Sequence, residues 1–269
     1  MTAFLHHLAY DFKTGIRDRS KLLMFYLFPL VFFFLVGGLM SSVNPNFGQT
    51  MIPAMVLFAF MCSALLNLPS LLVNAREAGV FRSYRINGVP AASVLAIPVI
   101  SAAAHMAVAA VVISLAGARF YGAAAPANVA LFALAALLSY AAYAGIGVLI
   151  GVASGNNTVT ILISQLIYIP SIILGGLMVP SAMLPGGLAR LSLLLPATHC
   201  MRVLVGLGMP GAAPTPWLSM GVLAVSAALS FGLAALLFEW DSRASAPSPK
   251  AWFALLAILP YAVAALIGR

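Results

Sequence analysis

The sequence predicts an all-α polytopic membrane protein, because it is rich in apolar residues, poor in charge and contains charge-free runs of membrane length. Of its 269 residues, 63% are hydrophobic and 7% are charged, whereas a soluble domain carries about 25% charged residues. Residues 22–40 and 128–153 contain no charged side chain. A helix of about 20 residues crosses the ~30 Å hydrocarbon core of a bilayer. We therefore expect lipid to surround most of the chain.

Apolar runs separated by polar or Pro/Gly-rich breaks predict six transmembrane helices. They cover residues 22–40, 51–73, 91–117, 127–153, 159–179 and 217–238. A weaker run, 251–267, contains Pro260 and follows a polar spacer over 242–250. This run forms either a seventh C-terminal hydrophobic span or a helix in the membrane plane, and its length does not decide between the two.

Basic residues predict the orientation of these spans, since cytoplasmic loops carry an excess of Lys and Arg. One side holds nine of the 13 basic residues: Lys13, Arg17, Arg19, Lys21, Arg76, Arg82, Arg85, Arg243 and Lys250. The other side holds Arg119, Arg190 and Arg202, joined by Arg269 if the last run spans. This bias places the N-terminus in the cytoplasm.

The N-terminal segment before the first span has apolar residues at roughly helical spacing. They are Phe4, Leu5, Leu8, Phe12 and Ile16. His6, His7 and charged residues lie between them. The pattern predicts an amphipathic helix in the membrane interface.

The chain lacks the patterns of a catalytic, metal-binding or nucleic-acid-binding protein. It has no GxxxxGK[ST] loop, so it cannot bind ATP by a Walker-type mechanism on its own. Nor does it contain an HExxH motif, or a GxSxG elbow with triad partners placed in water. Its basic residues are scattered between apolar runs and form no stripe for phosphates. We expect Cys62 and Cys200 to be free, inert thiols, because they lack CxxC spacing.

Ionisable groups are nearly absent from the predicted spans. All five carboxylates lie outside them: Asp11, Asp18, Glu77, Glu239 and Asp241. Ion-coupled carriers usually keep such groups inside the bilayer, where a charge is retained only for a function. His105, in the third span, is the one deep ionisable residue, and we favour a hydrogen-bonded structural role over a relay or ligand role.

The loop after the second span, residues 74–90, reads NAREAGVFRSYRINGVP. We expect one short helix from about Ala75 to Arg85, ended by Gly88 and Pro90. The helix groups apolar and aromatic side chains on one face with arginines around them, namely Val80, Phe81, Tyr84, Arg76, Arg82 and Arg85. This pattern suits a knob that docks on another protein, with a loop resting on anionic headgroups as the alternative.

The connection between the fifth and sixth spans is too apolar for a solvated loop. Pro180, Pro185 and Pro196 divide it into pieces shorter than a span. That pattern is typical of re-entrant or interfacial helices that cover the outer side of a cavity. A simple linker between two helices is the alternative.

Together the two segments resemble the permease subunits of ABC-2 type transporters, a class of bacterial exporters. The family's loop after the second span reads approximately RE-x-G, then an apolar pair and basic residues up to a proline, matched here by Arg76, Glu77, Gly79, Val80, Phe81, Arg82, Arg85 and Pro90. The family's outer pattern matches Gly175, Gly176, Pro180, Met183, Leu184, Pro185, Pro196, Thr198 and His199. The resemblance makes residues 1–240 the ABC-2 transmembrane domain and leaves 241–269 as a spacer with a C-terminal hydrophobic segment.

The resemblance also implies partners and sites. The loop would be the coupling helix that seats in a separate ATPase subunit, through Arg76, Glu77, Gly79, Val80, Phe81, Arg82, Tyr84 and Arg85. An outer re-entrant gate would be built by Pro180, Met183, Leu184, Pro185, Pro196 and His199. The chain would bind no cofactor itself, with ATP and Mg acting through the ATPase. Two permease copies in the bacterial cytoplasmic membrane, most simply a homodimer, and two ATPase subunits would form the working unit.

A repeated tetrapeptide gives a hypothesis for the dimer contact. GGLM occurs at 37–40 and again at 175–178, each time at the outer end of a predicted span. Glycine pairs allow close helix contact in lipid, so we place a dimer seam at Gly37, Gly38, Gly175 and Gly176. The alternative is that these glycines only loosen helix ends.

These observations predict the membrane subunit of an ATP-driven exporter. Without charge in its spans, the path suits a hydrophobic or amphipathic substrate such as a drug, a natural product or a lipid-linked molecule. Two rivals are an ATP-independent carrier or channel, and a non-transporting anchor subunit or embedded lipid enzyme.

Overall fold

Six membrane-length helices form the body of the protein in a computed structural model that describes residues 2–43, 47–180, 183–210, 216–241 and 249–267. An N-terminal helix α1, Thr2–Arg17, precedes them. The six spans are α2 (Arg19–Met40), α3 (Phe47–Glu77), α5 (Ala91–Tyr121), α6 (Val129–Ala153), α7 (Asn157–Leu174) and α10 (Pro216–Leu237). The short helix α4, Val80–Ile86, joins α3 to α5. The described residues contain no β-strand, so the all-α prediction and the six spans are confirmed.

Polar side chains start several of these helices. Asp18 accepts hydrogen bonds from the backbone N–H groups of Ser20 and Lys21 at the start of α2. Asn128 and Asn156 do the same at the starts of α6 and α7. Each side chain satisfies backbone donors that have no partner within the helix, so these residues fix where the spans begin.

The core of the bundle is the contact between α3, the most buried span, and α6. Gly147 and Gly151 lie on the α6 face of this contact. A Cβ at Gly147 would stand 1.9 Å from the carbonyl oxygen of Ala64, and one at Gly151 would stand 2.9 Å from that of Pro69. Helices in lipid associate by close backbone contact. The two glycines therefore set the spacing of the central helices.

Two spans contain a turn of π-helix. In α2 it covers Leu23–Leu27 and in α3 it covers Cys62–Asn67. The two π-turns contact each other. Within the second, Cys62 is buried and lies 3.5 Å from the hydroxyl of Tyr168. Cys200 is buried as well, and the expectation of two free cysteines is confirmed.

The helix α1 lies along α5, and His105 is the main residue that joins them. The imidazole stacks on Phe12, with 4.4 Å between ring centroids, and its Nδ1 lies 2.8 Å from the hydroxyl of Tyr26 in α2. Gly15 leaves room for the ring, because a Cβ there would stand 2.8 Å from Nε2. His105 is therefore packed between the two helices and hydrogen-bonded through Nδ1, while its Nε2 is buried without a hydrogen-bond partner among the described residues.

The helix α7 ends earlier than the sequence suggests. We expected it to extend to residue 179, but it ends at Leu174. Gly175 follows the helix, and Gly176 adopts a φ of 89°, which an L side chain rarely adopts. The chain turns at this glycine pair, so the apolar residues after it belong to the next segment.

The C-terminal run packs along α10 in the opposite direction. It begins as a 3-10 helix, Pro249–Ile258, and continues as an α-helix, Leu259–Ile267; we call its apolar part, Trp252–Ile267, α11. Ala257 packs in the cluster that contains Phe81 of α4. The Tyr261 hydroxyl donates to Ser226 Oγ of α10 at 2.7 Å. Between the in-plane and transbilayer alternatives, this course along a span favours the second.

Candidate functional site

The helix α4 lies at one end of the bundle. We call this end the basic end, because Arg76, Arg82 and Arg85 lie there. Our expectation of one helix from Ala75 to Arg85 was wrong, because the chain breaks between Glu77 and Val80. Gly79 has a φ of 74° and starts α4 after a tight turn. Gly88, with a φ of 71°, and Pro90 lie between α4 and α5, so the predicted end of the helix is confirmed. Glu77 is thus the last residue of α3 and not a loop residue.

The side of α4 that faces the bundle contacts the segment just after α10 and the N-terminal helix α1. Phe81 is 4% exposed and packs on Phe238, just after α10, with 5.4 Å between ring centroids. The hydroxyl of Tyr84 lies 3.4 Å from Nε2 of His7 in α1. Burial, with Asp11 nearby, raises the pKa of Tyr84 above its usual value, so this hydroxyl is protonated at neutral pH.

Arg76 is buried just before this turn and ties α3 to the end of α6. Its guanidinium donates to the carbonyl of Val152, at 3.1 Å, and to the carbonyl of Ser154. The last carbonyls of a helix lack partners within it, and a cation is favourable there. The family resemblance assigned Arg76 to the contact with a partner. In the structure, its guanidinium instead binds carbonyl groups of the same chain.

Asp241, at the end of the segment after α10, accepts a hydrogen bond from Arg82 of α4 and forms an ion pair with Arg85. Arg82 Nε lies 3.0 Å from one carboxylate oxygen and Arg85 Nη1 lies 3.8 Å from the other. All three side chains are more than half exposed. The pairs lie in water, where such contacts contribute little to stability.

The remaining predicted contact residues are Glu77 at the end of α3, Gly79 in the turn and Val80 in α4, and Ile86 of α4 was not among the predicted residues. Glu77 and Gly79 are exposed, Val80 is 37% exposed, and Ile86 is 79% exposed. The arrangement is a short helix that contacts the bundle on one side and exposes apolar side chains, with the carboxylate of Glu77 exposed at the adjoining end of α3.

The opposite end of the bundle carries a bent pair of helices between α7 and α10. These are α8, Gly186–Ser192, and α9, Pro196–Gly208, which meet at 87°. Pro185 precedes α8 and Pro196 opens α9, as proline's fixed φ favours. Met183 is exposed, while Pro180 and Leu184 are partly buried. The structure therefore contains a bent helix pair where the prolines predicted short interrupted helices, and the bend is compatible with a broken span or a re-entrant loop.

His199 is the buried polar centre of the bent pair. Its Nε2 lies 2.9 Å from the carbonyl oxygen of Leu193 and its Nδ1 lies 3.1 Å from Ser219 Oγ of α10. A carbonyl only accepts, so in the neutral ring Nε2 carries the proton and Nδ1 accepts from Ser219. Thr198 Oγ1 donates to the carbonyl of Ser192 at 2.5 Å. These bonds tie the bend to α10.

The four glycines of the repeated GGLM have different surroundings. A Cβ at Gly37 would stand 2.5 Å from Met51 Cε, and one at Gly175 would stand 2.3 Å from the Cβ of Ala197. Gly38 has open space around it, and Gly176 serves the turn described above. Two of the four therefore pack within their own chain, and Gly38 is the one open to a second molecule.

Sequence reasoning missed three partners of α4: His7, Phe238 and Asp241. Phe238 and Asp241 belong to the run FEWD at 238–241, which begins at the last residue of the sixth predicted span. An aromatic and acidic run that ends a span was the available signal. The sequence around His7 contains no such signal, because the contact of His7 with Tyr84 depends on how α1 packs along α5.

The fold is that of a multi-pass membrane protein, with a short helix presented at one end and a bent helix pair at the other. The chain belongs to the ABC-2 type transporter family, whose model matches residues 2–208. A search of curated proteins finds no match. The family match ends with α9, so α10 and α11 lie beyond it, whereas the resemblance that we described extended to residue 240.

Family membership makes the chain a membrane permease subunit of an ABC transporter and not a catalytic subunit. It implies a partner ATPase that uses ATP and Mg. The described part of the chain contains no group of three or more His, Cys, Asp or Glu side chains that could hold a metal ion.

Proposed function

We propose that this permease subunit exports a hydrophobic or amphipathic substrate, with α4 as the contact for the ATPase. The proposal places α4 and the N-terminus in the cytoplasm, in the bacterial cytoplasmic membrane. Lys and Arg bias supports that orientation. The absence of carboxylates from the middle of the described spans supports an uncharged path.

One observation carries the proposal: α4 is anchored on one side and free on the other. Phe81 fixes it to the end of α10, Tyr84 to α1, and the turn at Gly79 to α3. Glu77 and Val80 remain exposed. A partner that presses on the free side would displace three helices together, which is what a coupling element requires.

Replacing Glu77 tests this contact. We expect Glu77→Gln to weaken co-purification of the ATPase subunit and to reduce transport-coupled ATP hydrolysis by about tenfold, as loss of a charged hydrogen bond would. Asn74→Ala, an exposed change one turn earlier in α3, is the control and should behave as wild type. Normal assembly and normal coupled hydrolysis in Glu77→Gln would refute the contact.

We propose that a second copy of the chain packs on α2 and α7. The least buried span is α7, and it exposes Leu162, Leu166 and Ile173. Gln165 lies among these residues, and amide side chains hydrogen-bond between helices in lipid. Of the glycine seam, Gly38 remains part of this proposal, whereas Gly37 and Gly175 are occupied within the chain.

Disulfide trapping checks the dimer. Leu35→Cys combined with Ile173→Cys should give a covalent dimer in membranes, because both side chains are more than half exposed and lie at matching distances along α2 and α7. Background is low because Cys62 and Cys200 are buried. Leu115→Cys with Ile173→Cys is the control on the exposed side of α5. Equal trapping in both pairs would count against the α2–α7 contact.

A further inference from the structure

Arg202 is a cation in α9 that forms no ion pair with an acidic side chain among the described residues. The residue is partly buried, and its Nε is fully buried without a hydrogen-bond partner. It lies six residues before Gly208, the end of α9, or about 9 Å along the helix. The C-terminus of α9 reaches the opposite end of the bundle, where the carbonyl of Gly208 accepts from the N–H groups of Ala127 and Asn128.

No acidic side chain is available to Arg202 at that end. The five carboxylates of the chain all lie at the basic end, on α1, in the turn before α2, at the end of α3 and just after α10. His199, one helical turn away, uses both ring nitrogens in bonds to Leu193 and Ser219. A desolvated guanidinium without a counter-charge is costly in a membrane and is retained mainly for a function.

The missing partner must supply oxygen acceptors and negative charge near this end of the bundle. Phosphate does both, and its geometry matches the fork of a guanidinium. The bent pair also exposes Leu188, Leu191 and Leu194, an apolar surface that acyl chains can cover. A lipid provides phosphate and acyl chains in one molecule, whereas a free phosphate ion provides only the first.

We propose that Arg202 binds the phosphate of an anionic phospholipid beside the bent helix pair. The site is separate from α4, at the other end of the bundle. Only the leaflet, the external one, rests on the orientation in the proposed function; the lipid contact itself does not.

The test measures lipid binding by the purified chain in detergent, without the ATPase. Native mass spectrometry follows titration with phosphatidylglycerol and, in parallel, with a galactosyl diacylglycerol of the same acyl chains. Wild type should retain phosphatidylglycerol more tightly than the galactolipid. Arg202→Gln should weaken phosphatidylglycerol about tenfold, the usual scale for a hydrogen-bonded charge, and leave the galactolipid unchanged. Arg202→Lys should keep part of the affinity.

Arg119→Gln is the matched control, since Arg119 is an exposed arginine near the end of α5 at the same side of the bundle. It should leave the tightly bound phosphatidylglycerol in place. Equal affinity of wild type for the two lipids would overturn the proposal, as would equal losses in Arg119→Gln and Arg202→Gln. Displacement of the lipid by millimolar inorganic phosphate would assign the site to a free anion instead. If Arg202→Gln does not fold, Arg202→Lys and the two-lipid comparison in wild type decide the question.

Discussion

At Gly147, a hydrogen atom occupies the position where any other residue would place a carbon against the backbone of Ala64. The obstacle is a carbonyl oxygen, which cannot rotate away as a flexible side chain could. Any substitution must therefore separate α3 from α6, the two most buried spans. A substitution of Gly147 would therefore disturb the packing between α3 and α6 along their whole contact.

Gly147→Ala should accordingly destabilise the protein by about 1–3 kcal/mol, the usual cost of overpacking a tight interior. Gly221→Ala, in α10, is the control, because a Cβ there meets nothing within 4 Å. Thermal unfolding of both variants in detergent, followed by size-exclusion fluorescence, measures the difference. Equal stability would show that α3 and α6 can separate without cost.

At the scale of the element, α4 is held by two kinds of contact that differ in strength. The pairs of Arg82 and Arg85 with Asp241 are exposed to water, and such pairs contribute about 0–1 kcal/mol. Phe81 is buried against Phe238, and truncating a buried phenylalanine costs about 3–5 kcal/mol. The aromatic contact, rather than the charged one, should keep α4 on the bundle.

Phe81→Ala should therefore release α4, seen as faster protease cleavage within residues 77–90 and a lower unfolding temperature. Asp241→Asn should change neither measurement beyond error, and it serves as the control for the same surface. The reverse ranking would mean that the ion pairs dominate. Because Phe81 supports the fold of α4, its variants do not report on ATPase contact, and Glu77 is the informative position.

At the scale of the whole molecule, the C-terminal run determines how many times the chain crosses the membrane. A 3-10 helix rises about 2.0 Å per residue and an α-helix 1.5 Å. The apolar part of the run, Trp252–Ile267, has seven residues of the first kind followed by nine of the second and extends about 28 Å. This matches the ~30 Å hydrocarbon core, although the run looks too short when counted as α-helix alone.

We therefore expect a seventh crossing, with the two termini on opposite sides of the membrane. A C-terminal epitope should be accessible in intact spheroplasts, whereas an N-terminal epitope should become accessible only after permeabilisation. Tyr261→Phe removes one hydrogen bond to Ser226 and should keep the same sidedness. Protection of both epitopes would place the run in the membrane plane.

The sequence predicted the spans because their hydrophobic runs and the glycines, prolines and asparagines between them act locally. It failed where an outcome depends on contacts distant in the chain. Arg76 and Phe81 read as surface residues beside Glu77, yet helices far along the sequence, α6 and the end of α10, bury them. Gly37 and Gly175 are covered for the same reason, because side chains distant in the sequence, Met51 and Ala197, pack against them.

The two touching π-turns have a mechanical consequence for the bundle. A π-turn has wider hydrogen-bonded loops than the α-helix around it, and it is a common place for a helix to bend. Because Leu23–Leu27 and Cys62–Asn67 lie against each other, α2 and α3 each have a π-turn at the same level of the bundle. A displacement of the basic end by α4 would be absorbed at this level as a paired bend, so that the two helices can tilt together while the far halves keep their packing.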